Sequence, residues 1–440
     1  MKTHPSLAQR MAEGGYDGYA YAYPHKTAYR PLDPPVPLER AWQEEDRQDL
    51  FLYVHLPFCE MRCGFCNLFT TVQPGADLVS RTLDALHRQS TAVADAVLPQ
   101  GVAQAAFGGG TPSFLGEAEI ERVFVQLEQT WPVRWREIPV SFEVSPGTVT
   151  REKLALLKSL GVDRISLGVQ SFVQEDLLSL KRPQPDGQLE DICQLVKMSG
   201  FPVFNMDLIY GNEGQNARRW QWSLDRALEW QPEELYLYPL YVRKLTNLER
   251  IGKRPGELRH DLYRQARDCL LESGYRQISM RLFRRHDVSR TTDYCCQDDG
   301  MIGLGSGARS YTRALHYSTE YAVGQPGVRR IIEAFNARAA AHHAMADHGV
   351  HLDLHEQQRR YIIKSLLRSD GVSHAGYRER FGSSALEDLP QLRELLDMGL
   401  ATDAVDALQL TAEGLAWSDT IGPWLYSETM TARMNACELV

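Results

Sequence analysis

The alternation of short apolar runs with amphipathic stretches is the feature that most constrains the fold. From Phe51 onward, six apolar runs are each followed by a segment with helical periodicity: FLYVHL, AQAAFGG, PVSFEV, RISLGV, PVFNMDLIYG and ELYLYPL. Strands that alternate with helices indicate repeated β/α units and hence a parallel sheet. The pattern loosens near Arg276, before the eight units of a closed barrel are reached. The sequence therefore predicts an α/β fold, a partial (β/α)6 TIM-like barrel.

The segments on either side of this pattern predict three parts of the chain. Residues 1–50 are rich in Tyr and Pro and predict an extended N-terminal arm that wraps over another surface. Residues 51–325 are predicted to form the main domain, with polar, glycine-rich strands and loops closing it after residue 276. Residues 326–440 predict a mostly helical, winged-helix-like domain, because helical stretches flank one short apolar alternation, LQLTAEGLAW.

Charge and hydropathy exclude several classes of partner. The formal net charge is −9 and the sequence pI is about 5.8, whereas nucleic-acid binders usually carry a basic face. The first residues lack the apolar core of a signal peptide, and no run of 18 apolar residues occurs. We therefore expect a cytoplasmic protein with no nucleic-acid partner and no membrane span.

Three of the eight cysteines form a compact cluster directly after the run FLYVHL. They are Cys59, Cys63 and Cys66, in the spacing C-x3-C-x2-C. Soft thiolates select zinc, copper(I) or iron–sulfur clusters, and clustered cysteines in a cytosolic chain indicate metal binding or catalysis. Most cubane clusters have four cysteine ligands, so three would leave one iron with an open position. A structural zinc site completed by His55 or a distant cysteine is the alternative, although such sites usually pair their cysteines as C-x2-C.

Further candidate residues follow the later strands of the predicted sheet. A glycine run, Gly108-Gly109-Gly110-Thr111-Pro112, ends the second strand, and glycine lets a backbone approach a ligand closely, although most such runs only mark turns. Glu143 and Asp207 lie inside apolar runs, where an unpaired charge is costly, and this favours a functional role. Two more polar residues lie near predicted strand ends, Gln170 and Arg182.

The cysteine spacing resembles that of the radical S-adenosylmethionine (SAM) superfamily. The resemblance implies a [4Fe-4S] cluster on Cys59, Cys63 and Cys66, whose open iron binds the amino and carboxylate groups of S-adenosylmethionine. It also implies reductive cleavage of that molecule to a 5′-deoxyadenosyl radical. Phe65 matches an aromatic residue that packs near the adenine, and Gly108 to Pro112 is similar to the motif that binds the methionyl amino group.

A closer resemblance joins the chain to the oxygen-independent coproporphyrinogen III oxidase-like family, which includes haem chaperones and methyltransferases. It rests on Y-x-H-x-P-F-C, GGGTP, E-V-x-P, GVQSF, R-x-Q, DLIYG and GLGSGARSY, within residues 19–311. It implies that Tyr53 lies beside the cluster-bound cofactor with the three cysteines. It further implies a set of residues that contact S-adenosylmethionine: Tyr53, Phe65, Gly109, Gly110, Thr111, Glu143, Gln170, Arg182 and Asp207. In the N-terminal arm, Tyr23-Pro24 resembles an element that folds over the oxidase's active site, or is a simple packed tyrosine.

Two segments depart from the oxidase pattern. The chain has Asn67-Leu68-Phe69 where the oxidase has a further cysteine, and residues 212–215 (NEGQ) replace the Leu-Pro that follows DLIYG. A basic cluster over residues 280–286 (Met280, Arg281, Arg284, Arg285 and His286), which Arg309 could join, forms either a solvated face or a binding site for substrate carboxylates.

The resemblance implies a radical enzyme with a small-molecule substrate, a tetrapyrrole or another carboxylated compound. It implies one or two S-adenosylmethionine molecules and an electron donor such as flavodoxin or ferredoxin. The reaction would be oxidative decarboxylation or methyl transfer. Two alternatives stay open at this point: a zinc-stabilised binding module, and a non-catalytic haem chaperone whose ligand would come from His286, His316, Cys295 or Cys296.

Overall fold

The structure, a computed structural model, describes residues 5–20, 22–288 and 298–438. Cys295 and Cys296 lie outside the described residues. The chain divides into two compact units. The larger unit contains residues 30–266 and 287–350, and the smaller unit contains residues 1–29, 267–286 and 351–437. The predicted domain boundaries after residues 50 and 325 stay a prediction.

The strands are numbered in chain order. They are β1 (Arg30–Pro37), β2 (Leu50–Leu56), β3 (Phe58–Cys59), β4 (Thr71–Val72), β5 (Val102–Gly109), β6 (Val140–Val144), β7 (Arg164–Gln170), β8 (Val203–Tyr210), β9 (Glu234–Pro239), β10 (Tyr275–Gln277), β11 (Leu282–Arg285), β12 (Met301–Leu304), β13 (Arg309–Tyr311), β14 (Leu315–Ser318), β15 (Met345–His351), β16 (Val372–Ser373), β17 (Ala401–Asp403) and β18 (Ala407–Leu410).

The α-helices are numbered in the same way. They are α1 (Leu7–Ala12), α2 (Leu38–Ala41), α3 (Ala76–Val97), α4 (Glu117–Thr130), α5 (Arg151–Ser159), α6 (Gln174–Ser179), α7 (Gln188–Ser199), α8 (Ala217–Glu229), α9 (Asn247–Arg250), α10 (Arg259–Glu272), α11 (Gln325–Ala337), α12 (Ala340–His343), α13 (Leu354–Leu366), α14 (His374–Phe381), α15 (Ala385–Asp388), α16 (Leu392–Asp397), α17 (Ala412–Ala416), α18 (Ser418–Trp424) and α19 (Glu428–Asn435). Short 3-10 helices cover Lys26–Ala28 and Pro112–Phe114.

One sheet dominates the larger unit. Its strand order is β1-β15-β14-β13-β12-β2-β5-β6-β7-β8-β9, and every pair from β12-β2 to β8-β9 is parallel. The six strands β2, β5, β6, β7, β8 and β9 are the six apolar runs of the sequence, so the predicted α/β fold with six β/α units is confirmed. The strand order is open, with β1 at one end of this series.

Strands that are buried on both faces form the core of this unit. In β2 and β7 every residue but one is buried, as is typical of a parallel sheet that is covered on both faces. Phe107 of β5 stacks on Phe124 of α4 with ring centroids 4.4 Å apart, and Trp135 packs edge-on against Phe124. These aromatic contacts fix the sheet against its helices and thereby hold the strand ends in place.

The smaller unit is mostly helical, as predicted, with a three-stranded antiparallel sheet in the order β16-β18-β17. Tyr23 of the N-terminal segment is fully buried in this unit. Its hydroxyl group hydrogen-bonds Glu356 and lies 3.2 Å from the Ser427 hydroxyl, while Arg360 donates to its carbonyl oxygen at 2.9 Å. The Tyr-Pro element is therefore a packed anchor of this unit.

The basic cluster of residues 280–286 is largely buried. The exposed fraction of Arg281 is 4% and that of Arg284 is 1%, whereas His286 is exposed. The guanidinium of Arg281 pairs with Asp419 at 2.5 Å and lies over the ring of Tyr19 at 3.6 Å. The expectation of a solvated charged face is thus wrong for both buried arginines.

Across the described residues, no helix combines the length and the apolar character that a membrane crossing requires.

Candidate functional site

The candidate residues are positioned by the carboxyl ends of neighbouring parallel strands. In the sheet register Leu56 pairs with Gly109, Glu143 with Ser166, and Gly168 with Asp207. Because the carboxyl ends of parallel strands meet at one edge, the loops that follow them build a common site there.

The loop that carries the cysteines is tightly held by backbone contacts. Cys59 ends β3, and its carbonyl oxygen accepts a hydrogen bond from the Gln73 amide at 2.9 Å. The Gly64 amide donates to the Leu180 carbonyl oxygen at 2.9 Å, and the Gly64 carbonyl accepts from the Leu248 amide at 2.9 Å. A Cβ atom on Gly64 would lie 2.7 Å from the Leu180 oxygen. Only glycine therefore fits at position 64, between the second and third cysteines, without displacing the backbone of Leu180.

The three thiols lie close enough to influence one another electrostatically. Burial, together with the nearby Cys66 and Cys63, raises the pKa of the Cys59 thiol to about 12. Burial and the neighbouring Cys63 also raise the pKa of Cys66. Among the described residues, no group of three or more His, Cys, Asp and Glu side chains is arranged to hold a single metal ion. Three cysteine side chains in one loop fit a cubane cluster in their chemistry, because such a cluster is held by cysteine thiolates and its positive iron ions would offset the repulsion between them.

Arg182 links the cysteine loop to the strand edge. Its Nη1 donates to Cys63 Sγ at 2.8 Å, and its Nη2 donates to the Gly168 carbonyl oxygen at 2.9 Å and lies 3.3 Å from Ser145 Oγ. Arg182 is 8% exposed, and its Nε is buried without a hydrogen-bond partner in the described protein. A buried donor without a partner is costly, so a ligand with acceptor atoms would be stabilised here.

Glu143 and Asp207 form a pair of desolvated carboxyl groups. Burial, together with the charge of Asp207, raises the pKa of Glu143 to about 7. Burial also raises the pKa of Asp207 to about 6, although Asn205 donates to its Oδ1 at 2.9 Å and Arg164 stabilises its charge. Groups with such shifts in one site are typical of binding and catalytic positions.

The glycine run is required by protein contacts. A Cβ on Gly108 would lie 2.8 Å from the Glu143 carboxylate, and one on Gly109 would lie 2.5 Å from the His55 ring. Gly109 also has a φ of +105°, which favours glycine. The Gly110 amide donates to the Leu56 carbonyl oxygen at 2.9 Å. These contacts bring Thr111 Oγ1 within 3.6 Å of Cys59 Sγ.

The two aromatic candidates pack against two different apolar clusters. Tyr53 of β2 is partly buried against a cluster of Phe51, Ala106, Met301 and Tyr311. Phe65 is partly buried against another cluster, formed by Leu180, Ile209, Leu240 and Leu248.

Gln170 lies at the end of β7, where the register with β8 shifts between Gly168 and Gln170. Its φ is +69°, an uncommon backbone conformation for a residue other than glycine, and it is 9% exposed. A Cβ on Gly168 would lie 2.8 Å from Gln170 Nε2, so a glycine there leaves room for this amide.

Several residues of the site were not selected from the sequence. Ser145 contacts Arg182, and Asn205 donates to Asp207. Gln184 Oε1 is buried without a hydrogen-bond partner among the described residues, and the same holds for both amide atoms of Asn212, which is 1% exposed. The sequence signal for Asn212 was its position in the segment that departs from the oxidase pattern. Gln184 belongs to R-x-Q, where only the arginine was selected.

Comparison with known proteins assigns the family. The Radical SAM superfamily model matches residues 53–227, and the HemN C-terminal domain model matches residues 352–417. The chain belongs to the radical SAM superfamily. Within it the chain is HemN-like, which confirms the resemblance drawn from the motifs. Membership implies a [4Fe-4S] cluster and S-adenosylmethionine as cofactors.

Two curated relatives and one solved structure span most of this radical SAM protein. Oxygen-independent coproporphyrinogen III oxidase from Salmonella typhimurium is 26% identical over 429 residues, covering 90% of this chain and 91% of that protein. The heme chaperone HemW of Bacillus subtilis is 25% identical over 388 residues, covering 85% of this chain and 98% of that protein. The structure of coproporphyrinogen III oxidase (HemN) from Escherichia coli has a TM-score of 0.75 at 24% identity, covering 88% of this chain and 92% of that one. This structural match confirms a radical SAM fold.

Proposed function

We propose that this protein is a radical SAM enzyme that abstracts a hydrogen atom from a carboxylated, tetrapyrrole-like substrate and completes an oxidative decarboxylation. The substrate would lose the hydrogen atom to the 5′-deoxyadenosyl radical, its carboxylate as CO2, and one electron to an external one-electron acceptor. When bound, the [4Fe-4S] cluster would supply an electron that cleaves S-adenosylmethionine to a 5′-deoxyadenosyl radical. The observation that carries the proposal is the contact between Arg182 and Cys63 Sγ, because the same guanidinium also bonds the Gly168 carbonyl oxygen and so joins the three-cysteine loop to the end of β7.

The protein's own residues have distinct roles in this proposal. Cys59, Cys63 and Cys66 hold the cluster, and Arg182 offsets the charge of the Cys63 thiolate. The free Nε of Arg182 is available to a carboxylate of S-adenosylmethionine, since guanidinium groups match carboxylates in geometry. Glu143 and Asp207 accept hydrogen bonds from ribose hydroxyl groups, which would lower the cost of burying their charges.

Six further residues complete the proposed cofactor pocket. Tyr53 and Phe65 flank the cofactor from the two apolar clusters described above. The amide of Gln170 and the Thr111 hydroxyl hold its polar edges. Gly109 and Gly110 place that hydroxyl beside Cys59.

The reaction type is taken from the oxidase relative, which matches this chain along most of its length. We propose flavodoxin or ferredoxin as the electron donor and the cytoplasm as the location. Radical C-methylation with a second S-adenosylmethionine is the alternative reaction, and it differs in leaving S-adenosylhomocysteine as a product.

A haem chaperone is the second candidate function, and the similar coverage by HemW favours it. Its proposed ligands differ in accessibility. His286 is exposed, whereas His316 of β14 is fully buried and packs edge-on against Tyr311 at 4.7 Å. In this candidate His286 is therefore the stronger of the two haem ligands.

The test is anaerobic reconstitution of the full chain with iron and sulfide, followed by reduction and addition of S-adenosylmethionine. We expect 5′-deoxyadenosine from the wild type and none from Cys63→Ala, because two thiolates cannot hold the cluster. Cys437→Ala is the matched control, since this partly buried cysteine lies outside the cluster loop. Purified protein that contains zinc and no sulfide, or that never yields 5′-deoxyadenosine, would refute the proposal. Stable haem retention without cleavage would favour the chaperone.

A further inference from the structure

A basic surface lies beside the cysteine loop in the larger unit. Residues 241–254, which follow β9, contain five Lys or Arg residues and one acidic residue, although the whole chain has a net charge of −9. Another lysine, Lys181, follows α6. The basic patch is defined here by four exposed residues: Lys181, Lys244, Arg250 and Arg254.

Backbone contacts attach both parts of the basic patch to the cysteine loop. The Leu248 amide donates to the Gly64 carbonyl oxygen at 2.9 Å, and Leu248 is only 1% exposed. The Gly64 amide donates to the carbonyl oxygen of Leu180, the residue before Lys181. A Cβ on Gly64 would lie 2.9 Å from the Lys181 Cβ. Both parts of the patch are therefore joined by a hydrogen bond to the residue that follows Cys63.

The segment that carries most of the patch has a fixed conformation. The Thr246 hydroxyl caps α9 by accepting from the Glu249 amide at 3.3 Å, and Thr246 is fully buried. The Lys253 amide donates to the Leu248 carbonyl oxygen at 3.0 Å. A surface that is ordered beforehand loses less conformational entropy when a partner docks on it.

The members of the basic patch differ from the other basic residues of the segment in their exposure. Lys253 pairs with Glu213 at 2.6 Å, and the Arg243 guanidinium lies over the ring of Tyr241 at 4.1 Å, so both residues are only partly exposed. Exposed charges of one sign create a field that attracts an oppositely charged partner and speeds its association. An acidic protein is therefore the partner that the basic patch fits.

An exposed apolar side chain lies within this charged surface. Ile251 directly follows Arg250 and is 48% exposed. Protein interfaces commonly combine an apolar centre with a polar rim. The flavin ring of a flavodoxin ends in a dimethylbenzene edge, which is apolar, so an acidic protein that presents this edge would match both the charge and the apolar side chain.

We propose that the basic patch is the docking surface for the electron donor, and that this donor is a flavodoxin. The inference rests on the proposed radical SAM function. One electron passes to the bound cluster, which is reduced, and the anionic flavin hydroquinone is oxidised to the neutral semiquinone; no bond forms or breaks in this transfer. Lys244, Arg250 and Arg254 attract the acidic surface around the flavin, and Ile251 contacts its apolar edge.

The first test measures binding without turnover. Oxidised flavodoxin is titrated into the anaerobically reconstituted full chain at low ionic strength, and the affinity is measured by calorimetry. A triple variant, Lys244→Gln with Arg250→Gln and Arg254→Gln, should bind flavodoxin about tenfold more weakly, because each exposed charge pair contributes roughly twofold to threefold.

A matched control removes three exposed positive charges at the opposite edge of the sheet. Arg134 and Arg136 precede the amino end of β6, and Lys158 precedes that of β7. Replacing these three residues by Gln changes the net charge by the same amount as the triple variant does. The affinity for flavodoxin should then stay within about twofold of the wild-type value.

A second measurement separates this inference from the proposed function. Dithionite is a small reductant that needs no docking surface, so 5′-deoxyadenosine formed with dithionite should be equal in the wild type and the triple variant. Formation driven by reduced flavodoxin should fall about tenfold in the triple variant. If dithionite yields no 5′-deoxyadenosine from the wild type, the proposed function fails, while the binding titration still decides whether the basic patch is a docking surface.

The ionic strength provides a check that needs no variant. The affinity of the wild type for flavodoxin should weaken about tenfold between about 20 and about 200 mM salt, because salt screens exposed charges. An affinity that does not depend on salt, or that is equal in the wild type and the triple variant, would overturn the proposal. Charge-dependent binding of a ferredoxin in place of flavodoxin would overturn it as well.

Discussion

The buried carboxyl group of Glu143 should destabilise the cofactor-free protein at neutral pH. The pKa of Glu143 rises from 4.5 to about 7 in the folded chain. A carboxyl group with a raised pKa contributes its stability fully below the unfolded value and loses it as the pH rises through the folded value. The loss therefore runs from about pH 4.5 to about pH 7 and amounts to about 3 kcal/mol over that range.

Replacing Glu143 by Gln should remove this cost, because the amide stays neutral at every pH in the window. We expect Glu143→Gln to raise the melting temperature of the cluster-free protein at pH 8 by roughly 5 °C and to change it little at pH 4.5. The same substitution should weaken binding of S-adenosylmethionine, since a carboxylate acceptor is lost. Melting curves between pH 4.5 and pH 8 under anaerobic conditions would measure the first effect.

Glu121→Gln is the matched control, because Glu121 is an exposed residue of α4. It should leave the pH dependence of the melting temperature unchanged. If Glu143→Gln and Glu121→Gln give the same pH profile, then the Glu143 carboxyl is not desolvated as described and the reasoning fails.

Three further predictions concern the supports of the site. Gly64→Ala should lower the iron and sulfide retained after reconstitution, because the added Cβ would meet the Leu180 carbonyl oxygen. Gly75→Ala is the control and should retain both, because the space around its Cβ is open, and equal contents in the two variants would contradict the prediction. Arg182→Lys should weaken S-adenosylmethionine binding in equilibrium dialysis by about tenfold or more, because an ammonium cannot reproduce the planar fork; unchanged affinity would refute its role. Glu234→Gln should lower the free energy of unfolding, measured in urea, by about 3 kcal/mol, because it leaves the buried Arg164 without its anionic partner at 2.8 Å. An unchanged unfolding midpoint would show that the pair contributes little.

The six parallel strands could be predicted because their signal is local. Each strand of a sheet covered on both faces is a nearly continuous apolar run, and β7 and β8 have only one incompletely buried residue each. In these strands the polar exceptions, such as Asp207, are conspicuous against an apolar background. The same contrast identified Glu143.

The partners of these residues could not be predicted, because they come from distant segments. Arg281 pairs with Asp419, which is 138 positions away along the chain, and no local pattern connects the two. The glycine run illustrates a different gap. The sequence suggested that the glycines let the backbone approach a ligand closely. In the structure, Gly109 is required because a Cβ atom would meet the His55 ring and because its φ is positive. The roles of the predicted site residues stay predictions until they are tested.

The place of β2 in the sheet has a consequence for the biosynthesis of the enzyme. This strand leads into the cysteine loop, and it is paired on one edge by β5 and on the other by β12, where Leu304 faces Val54. One edge of β2 therefore stays unpaired until residues some 250 positions downstream have been synthesised. Such long-range pairing closes slowly and late. Cluster insertion into a finished site must accordingly follow release of most of the chain from the ribosome, and an earlier encounter with iron and sulfide would meet a loop supported on one side only.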